Sequence, residues 1–361
     1  MVELEELLNL LVERGGSDLH LTAGSAPCIR VDGKLIPTDH PKFTPESAKS
    51  LVYSILNNEQ VAKFEAELEL DISFGISGLG RFRTNVFMQR GAVGSVMRVI
   101  PFDIWPLDRL GLSVELLEEI CSKPKGLVLV TGATGSGKST TLASMIDYIN
   151  RSRNDHIVTI EDPIEFVHRN KSCLVNQREV GTDTHGFGRA LRAVLRQDPD
   201  VILIGEMRDQ ETIQVALTLA ETGHLTFGTL HTSDCVQTIN RIVDVFPAHQ
   251  QQQIRTQLSF TLEAVFCQCL LPRRNSRGRV MACEVMVANS AIRGLIRDNK
   301  AHQIYSIIQT GARQRMMTLN QHLFELYRQG QIAFDDAIAA TGDPDDLRRT
   351  FQLTQGRVPA Q

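Results

Sequence analysis

The sequence lacks the features of secreted, metal-knuckle and membrane-spanning proteins. Its seven cysteines form no CxxC pair, so their spacing gives neither a zinc knuckle nor an even disulfide framework. No apolar run approaches the length of a membrane span, and the first residues are acidic where a signal peptide is basic. We expect reduced core thiols in a soluble, cytoplasmic protein that contacts a membrane only through partners.

An excess of positive charge is also missing, since the formal net charge is −4. An acidic chain has no general electrostatic attraction to nucleic acid or to an anionic membrane, although a local basic groove could still form. We therefore expect no nucleic-acid partner. The 361 residues, of which 42% are hydrophobic, suit two domains with buried cores.

A glycine-rich loop between a predicted strand and a predicted helix is the strongest motif in the chain. It follows the apolar run 127–130 and has the pattern Gly-x-x-x-x-Gly-Lys-Ser. Glycines allow backbone N–H groups to curl around a phosphate, and the following helix N-terminus favours negative charge. We predict binding of ATP and Mg²⁺, with Lys138 at the β- and γ-phosphates and the Ser139 hydroxyl on the metal. The predicted nucleotide-binding residues are Gly132, Ala133, Thr134, Gly135, Ser136, Gly137, Lys138, Ser139 and Thr140.

Helices and short apolar strands alternate from about residue 112 onwards. That order predicts an α/β fold with a parallel sheet of the RecA-like P-loop type. We expect this sheet to form an ATPase domain that spans residues 112–361. For residues 1–100, the pattern predicts a smaller α+β domain built on an antiparallel sheet. Segment 101–111 contains two prolines, so we predict that it is a linker between the domains. We expect a mostly helical region after Pro247 and a frayed tail from Gln355. The strands predicted in the ATPase domain are 127–130, 156–160, 201–204 and 225–230.

Glu206 follows the apolar strand 201–204 and a single glycine. In a P-loop fold, this geometry places a carboxylate opposite Ser139, where it can hold the coordination shell of Mg²⁺. The alternative is a solvated acid at a strand end. The P-loop upstream in the same domain favours the metal-supporting role.

A second carboxylate cluster, Glu161-Asp-Pro-Ile-Glu165, follows the predicted strand 156–160. Ligands bind at the carboxyl ends of parallel strands, and a carboxylate there can deprotonate the attacking water. The cluster is therefore a candidate general base. An exposed acidic turn stabilised by proline is the alternative, and only the position between the P-loop and Glu206 argues against it.

Two histidines, His224 and His231, flank the predicted strand 225–230. Both could sense the γ-phosphate through hydrogen bonds, although a lone histidine is more often a satisfied core or surface residue. The intervening strand separates the two rings by roughly 20 Å at ~3.3 Å per residue, so they are unsuited to sharing a metal ion.

Arginines are dense in the strand-like segment 80–90 and recur at Arg98. Arg81 and Arg83 share one face of a strand because side chains repeat every two residues. Three interpretations are open: a solvated basic face, an arginine finger acting on the γ-phosphate of a neighbouring subunit, or, with the nearby phenylalanines, a surface for single-stranded nucleic acid. The acidic net charge disfavours the last of these.

Together these motifs resemble the hexameric ATPases of the secretion superfamily, and within them the PilT-like twitching-motility retraction ATPases. The resemblance covers nearly the whole chain and does not depend on the P-loop alone. In its last motif, Gly294 and Asp298 depart from the Asn and Glu that are usual in the retraction branch. The motifs that carry the resemblance are 17–21, 81–85, 160–166, 198–209, 223–232 and 291–298.

The resemblance implies a PAS-like N-terminal domain, a RecA-like ATPase domain and a ring of six copies. It implies that Glu165 is the general base and that Glu206 supports Mg²⁺ and water. It also implies that Arg83 and Arg98 reach a phosphate across a subunit interface, and that His231 senses the nucleotide state.

The resemblance further implies a motor at the cytoplasmic face of the inner membrane, which acts on an inner-membrane pilus platform protein. Extension and secretion ATPases usually carry an extra N-terminal domain and often a four-cysteine zinc insert, both of which are missing here. The sequence therefore favours ATP-driven pilus retraction over extension. The alternatives are an accessory retraction or other secretion ATPase, a RecA-like nucleic-acid translocase, and a catalytically silent scaffold ring.

Overall fold

The computed structural model describes residues 3–31, 33–76, 78–100 and 104–355, with side chains described to residue 351. The chain divides into two compact units, Met1–Asp103 with Glu165–Val167, and Ile104–Ile164 with His168–Gln361. Residues 101–103 of the predicted linker and residues 356–361 of the predicted tail lie outside the described residues.

In its described residues, the N-terminal unit contains a six-stranded antiparallel sheet and three helices. The strand order is β3-β2-β1-β6-β5-β4, and every neighbouring pair is antiparallel. The strands are β1 Asp18–Leu21, β2 Cys28–Val31, β3 Lys34–Pro37, β4 Glu69–Ile76, β5 Gly80–Gln89 and β6 Ala92–Ile100. The helices are α1 Leu4–Glu13, α2 Pro45–Tyr53 and α3 Asn58–Glu67.

Local sequence explains where these helices begin and what they bury. Thr44 caps α2 through a reciprocal pair of hydrogen bonds with Ser47, and Pro45 occupies the first turn, where no N–H donor is needed. Leucines at helical spacing on α1 are fully buried against the sheet, which gives this unit its own hydrophobic core.

The second unit is built on a seven-stranded sheet in the order β13-β12-β7-β11-β10-β8-β9. All neighbouring pairs are parallel except β12 and β13, which are antiparallel. The strands are β7 Gly126–Thr131, β8 His156–Glu161, β9 Leu174–Glu179, β10 Val201–Ile204, β11 Leu225–Leu230, β12 Leu262–Pro272 and β13 Arg279–Val287. The four strands predicted from the sequence are confirmed.

Helices cover this sheet on both faces, since separate hydrophobic clusters lie on either side of the central strands. The helices are α4 Val114–Cys121, α5 Lys138–Ser152, α6 Phe187–Val194, α7 Gln210–Glu221, α8 Cys235–Asp244, α9 Ala248–Thr261, α10 Ser290–Arg297, α11 Ile304–Thr310, α12 Leu319–Arg328, α13 Phe334–Ala340 and α14 Pro344–Gln355. Within the described ranges, the helices are too short or too polar to cross a bilayer.

The prediction of a mostly helical region after Pro247 is wrong for residues 262–287. These residues form β12 and β13, an antiparallel hairpin that extends the sheet beside β7. Most residues of β12 are buried, so it shows no alternation of polar and apolar residues. A buried strand of this kind cannot be distinguished from a buried helix by periodicity.

Candidate nucleotide-binding site

The P-loop turns between β7 and α5 through three glycines in the left-handed region. Gly132, Gly135 and Gly137 have φ values of 138°, 78° and 91°. A Cβ atom on Gly132 would also clash with the carbonyl oxygen of Gln268. Gly137 precedes α5 without a side-chain cap, so the first N–H groups of the helix are open to an anion.

Lys138 lies across this loop. Its Nζ donates to the carbonyl oxygens of Gly132 and Ala133, at 2.8 Å and 3.0 Å. Partial burial lowers the pKa of Lys138 below its ordinary value, although the nearby negative charge of Glu206 opposes this shift. The ammonium group is therefore close both to the phosphate-binding loop and to the carboxylate predicted to support the metal.

The other P-loop residues divide by exposure in a way that fits a phosphate cradle. Ser136 is buried, and its Oγ has no hydrogen-bond partner among the described residues. The Ser139 hydroxyl, in contrast, belongs to an exposed residue in the first turn of α5. Ala133, Thr134 and Gly135 are exposed, Gly137, Lys138 and Thr140 are half-buried, and Gly132 is buried.

Glu206 and His231 meet because they follow neighbouring parallel strands, β10 and β11. His231 Nε2 lies 3.1 Å from Glu206 Oε1. Arg208 binds the same carboxylate through two contacts of 2.6 Å, from Nη2 to Oε2 and from Nε to Oε1. These hydrogen bonds hold the pKa of Glu206 below its ordinary value against the opposing effect of burial, so the carboxylate is ionised at neutral pH.

The glycine before Glu206 explains why the acid does not follow the strand directly. A Cβ atom on Gly205 would approach the Cα atom of Glu161 to 3.1 Å and the carbonyl oxygen of Ile160 to 3.2 Å. Glycine therefore allows β10 to stay close to β8, and the first carboxylate comes one residue later.

The donor set at this edge of the sheet fits Mg²⁺. The candidate ligands are the Ser139 hydroxyl and the Glu206 carboxylate, both hard oxygen donors of the kind that Mg²⁺ prefers. The metal would use only a few protein ligands and would keep its remaining positions for water and phosphate oxygens.

The two histidines of the predicted sensor motif lie at opposite ends of β11. His231 is at the carboxyl end, the edge of the sheet where β7 leads into the P-loop. His224 precedes β11, and its Nδ1 lies 3.0 Å from the carbonyl oxygen of Leu219. The hypothesis that both histidines contact the γ-phosphate is therefore wrong for His224, because parallel strands place it at the opposite edge.

Glu165 is exposed and groups with the N-terminal unit. The other members of its cluster differ from it. Glu161 is buried and accepts hydrogen bonds from Thr159 Oγ1 at 2.6 Å and Gln177 Nε2 at 3.1 Å, whereas Asp162 is exposed. Glu161 is thus committed to the structure, and the role of Glu165 as general base stays a prediction.

Arg83 and Arg98 are cross-strand partners on β5 and β6 of the N-terminal unit. Arg83 is exposed, and Arg98 donates from Nε to the buried Asp18 at 2.7 Å while its side chain stays 67% exposed. Burial raises the pKa of Asp18, but hydrogen bonds from Ser17 and Arg98 leave it below the ordinary value. The two arginines therefore lie side by side, and their action on a phosphate stays a prediction.

One of the aromatic residues that suggested nucleic-acid binding by this arginine strand is not accessible to a base. Phe82 is fully buried and stacks on Phe74, with ring centroids 5.6 Å apart. A buried ring is unavailable to stack on a base, and base stacking is what sequence-tolerant binding of single strands requires.

Three residues near the P-loop were not selected from the sequence. Arg208 binds Glu206, Arg279 Nη1 donates to the carbonyl oxygen of Gly135 at 3.3 Å, and Gln268 binds the P-loop from β12. Gln268 could have been noticed as a polar residue within an apolar run. The positions of Arg208 and Arg279 depend on tertiary structure, which the sequence pattern does not show.

The cysteines are free thiols, and most of them are buried. Cys235 and Cys267 have Sγ atoms 3.6 Å apart, beside the carboxyl group of Glu284. Burial raises the pKa of Cys235 and also that of Glu284. These buried groups pack as part of the core, in agreement with the expectation of reduced core thiols.

Comparison with known proteins gives one family for this arrangement. The family described as type II/IV secretion system protein matches residues 5–338. The chain is 50% identical over 346 residues to the type IV pilus retraction ATPase PilT of Pseudomonas aeruginosa, covering 96% of this chain and 100% of that protein. It is 49% identical over 307 residues to a twitching motility protein of Neisseria gonorrhoeae, covering 85% of this chain and 82% of that protein.

Among solved structures, the crystal structure of the pilus retraction motor PilT with bound ADP matches the fold with a TM-score of 0.91. The two sequences are 51% identical, and the match covers 97% of this chain and 100% of that one.

Proposed function

Because the chain belongs to the type II/IV secretion system protein family, we propose that it is an ATP-hydrolysing motor that powers type IV pilus retraction. The observation that carries the proposal is the meeting of the P-loop, Glu206 and His231 at one edge of the parallel sheet. The similarity to a retraction ATPase extends over nearly the whole chain, which confirms the predicted fold class and ATPase activity.

In this proposal the P-loop holds the phosphates through its backbone N–H groups and the Lys138 ammonium. Ser139 and Glu206 hold Mg²⁺, which supplies positive charge to the phosphate oxygens. Arg208 contacts each oxygen of Glu206 once in this structure, which leaves further lone pairs of the carboxylate that could support the metal. His231 then reports on the γ-phosphate through its contact with Glu206.

The remaining predicted residues act on the reacting phosphate. Glu165 serves as the general base that takes a proton from the attacking water. Arg83 and Arg98 come from a neighbouring copy and stabilise the charge that develops on the γ-phosphate. This arrangement requires a ring, for which we propose a homo-hexamer with a PAS-like domain at residues 1–100, a linker at 101–111 and the ATPase domain at 112–361.

The partners follow from the same proposal. The ring works at the cytoplasmic face of the inner membrane, where it moves an inner-membrane pilus platform protein and thereby drives pilin disassembly. Its membrane contact is made by that partner. Nucleic acid is not a partner, in keeping with the net charge of −4.

Phosphate release by the purified full-length chain tests this function. We expect Mg²⁺-dependent ATP turnover that is lost in Lys138→Ala and unchanged in Lys125→Ala, an exposed lysine of the same unit. Expression of the wild-type chain in a retraction-null strain should restore twitching, and expression of Lys138→Ala should not. A wild-type chain without turnover would instead support a scaffold ring.

The same assay separates a motor on pili from a nucleic-acid translocase. We expect single-stranded DNA to leave the turnover rate unchanged at low salt. Stimulation by DNA that falls steeply with added salt would contradict the proposal, because it would show counterion release from bound phosphates.

A further inference from the structure

Gln268 is a buried polar residue of β12 beside the P-loop. The parallel pairing of Cys267 with Thr131 places Gln268 level with Gly132, where the chain leaves β7. The residue is 3% exposed, although it lies within an otherwise largely apolar strand. A buried amide costs free energy unless its donors and acceptors are satisfied, so its partners indicate what it does.

The amide group of Gln268 joins the two ends of the P-loop turn. Its Nε2 donates to the carbonyl oxygen of Ser136 at 3.1 Å. Its Oε1 accepts from Thr141 Oγ1, in the first turn of α5, also at 3.1 Å. One side chain of the neighbouring strand therefore binds both the loop and the helix that a phosphate would contact.

The bond to Ser136 determines the direction of the next N–H group. In a planar trans peptide, the C=O and N–H groups point in opposite directions. Since Gln268 holds the Ser136 carbonyl towards β12, the N–H of Gly137 points away from that strand. Gly137 has a φ of 91°, and glycine in such a loop has other conformations available, so the orientation needs an external hold.

We propose that Gln268 is a positioning residue for nucleotide binding, which fixes the Ser136–Gly137 peptide so that the Gly137 N–H faces the phosphate site. The inference rests on the proposed ATPase function. Arg279 makes a weaker contact to the preceding carbonyl, that of Gly135, from the exposed side of the loop. The hairpin of β12 and β13 thus fixes two successive peptides of the P-loop.

Three variants of the full-length chain test this role. Gln268→Ala should raise the KM for ATP roughly 25-fold, since two hydrogen bonds are lost and each is worth about a factor of five. Its kcat should stay within about twofold, because the P-loop holds phosphate equally in the ground and transition states. Gln268→Glu, of the same size, keeps the acceptor for Thr141 but sets a carboxylate against the Ser136 carbonyl, and should raise KM at least as much.

Thr141→Val removes only the second contact and should have a smaller effect on KM than either change at Gln268. The matched control is Gln251→Ala, which loses a 3.1 Å bond to the carbonyl oxygen of Phe246, away from the P-loop. The dissociation constant of a fluorescent ADP analogue, measured for each variant, should follow KM. The control should leave both quantities unchanged.

The outcomes separate the positioning role from a structural one and from a failure of the function itself. A Gln268→Ala chain with a lower melting temperature but wild-type KM and ADP affinity would overturn the inference. So would Gln268→Glu behaving as wild type. If the wild-type chain neither hydrolyses ATP nor binds the ADP analogue, the proposed function fails as well.

Discussion

At the scale of single residues, the proposed chemistry depends on the different surroundings of three carboxylates. Glu161 is buried within hydrogen bonds, and Glu206 is held by Arg208 and His231. Glu165 is exposed at the end of the same acidic cluster. The proposed function gives the three acids different tasks, with Glu161 structural, Glu206 on the metal and Glu165 on the attacking water.

Glu165→Gln tests the assignment of the general base. The substitution keeps the size of the side chain but removes the proton acceptor, so we expect ATP binding to persist while hydrolysis is lost. The measurement pairs nucleotide affinity with phosphate release. Asp162→Asn, a neighbouring exposed acid, serves as the control and should retain turnover. Substantial hydrolysis by Glu165→Gln would remove Glu165 from this role.

The buried His168 should make the folded protein less stable in acid. Burial lowers its pKa from 6.5 to about 4, with Asp147 opposing and Lys171 reinforcing the shift. As pH falls from 6.5 towards 4, the unfolded chain binds a proton that the folded chain does not. The free energy of unfolding should therefore fall by about 1.4 kcal/mol per pH unit in this window through His168 alone.

The measurement is urea unfolding of the full-length chain between pH 4.5 and 7. In His168→Asn, stability should depend less on pH over this range than in the wild type. His249→Asn, at an exposed histidine, is the control and should keep the wild-type slope. Equal slopes for His168→Asn and the wild type would show that another group causes the acid sensitivity.

At the scale of elements, the P-loop helix α5 also anchors the segment that leads into β9. Asn150 is fully buried near the end of α5. Its Nδ2 donates to the carbonyl oxygen of Arg169 at 2.7 Å, and its Oδ1 accepts from the N–H of Lys171 at 3.1 Å. One side chain therefore satisfies two backbone groups of an irregular segment, which would otherwise need water.

Asn150→Ala should lower the free energy of unfolding by about 2 kcal/mol, because two buried hydrogen bonds are lost at ~1 kcal/mol each. Chemical denaturation measures the change. Asn176→Ala, which loses an exposed contact to His156, should change stability by less than about 0.5 kcal/mol. Equal effects of the two substitutions would contradict the anchoring role of Asn150.

The elements differ in how far the sequence alone predicts them. The strands β7, β8, β10 and β11 were predictable because each is a short apolar run between turn or helix signals. The strand β12 was not, since burial on both faces removes the alternation that marks a strand. The sequence pattern therefore does not show that β12 lies beside the P-loop, although Gln268 stands out as a polar residue in an apolar run.

The candidate site also contains residues that the sequence predicts and residues that it does not. The P-loop, Glu206 and His231 follow strands in sequence, so the rule that parallel strands bring their carboxyl ends together was enough to group them. The same rule separates His224 from them, because His224 precedes β11 and lies at the opposite edge of the sheet. Arg208 forms an ion pair with Glu206, and this contact depends on side-chain conformations that the sequence pattern does not show.

At the scale of the whole molecule, the account predicts that active sites are shared between subunits. Lys138→Ala lacks a working P-loop but keeps Arg83, and Arg83→Ala has the reverse defect. If the arginine acts in trans, a mixture of the two inactive variants forms some sites from an intact P-loop and an intact arginine. The mixture should recover phosphate release that neither variant shows alone.

Subunits must exchange for this test, so the two variants are co-expressed with different tags and the mixed rings are purified on both. Arg90→Ala, at another arginine of the same unit, is the control for nonspecific loss of charge and should be active by itself. Mixed rings without activity would place Arg83 in the same subunit as its P-loop, and an Arg83→Ala variant that is active by itself would place Arg83 outside the reaction.

The central claim, that ATP turnover in this chain retracts a pilus, is tested most directly by the force on single pili. Cells of a retraction-null strain that express the wild-type chain or Lys138→Ala at equal levels are held near a bead in an optical trap. We predict retraction events with the wild-type chain and none with Lys138→Ala. Retraction by Lys138→Ala, or no retraction by a wild-type chain that hydrolyses ATP, would contradict the account.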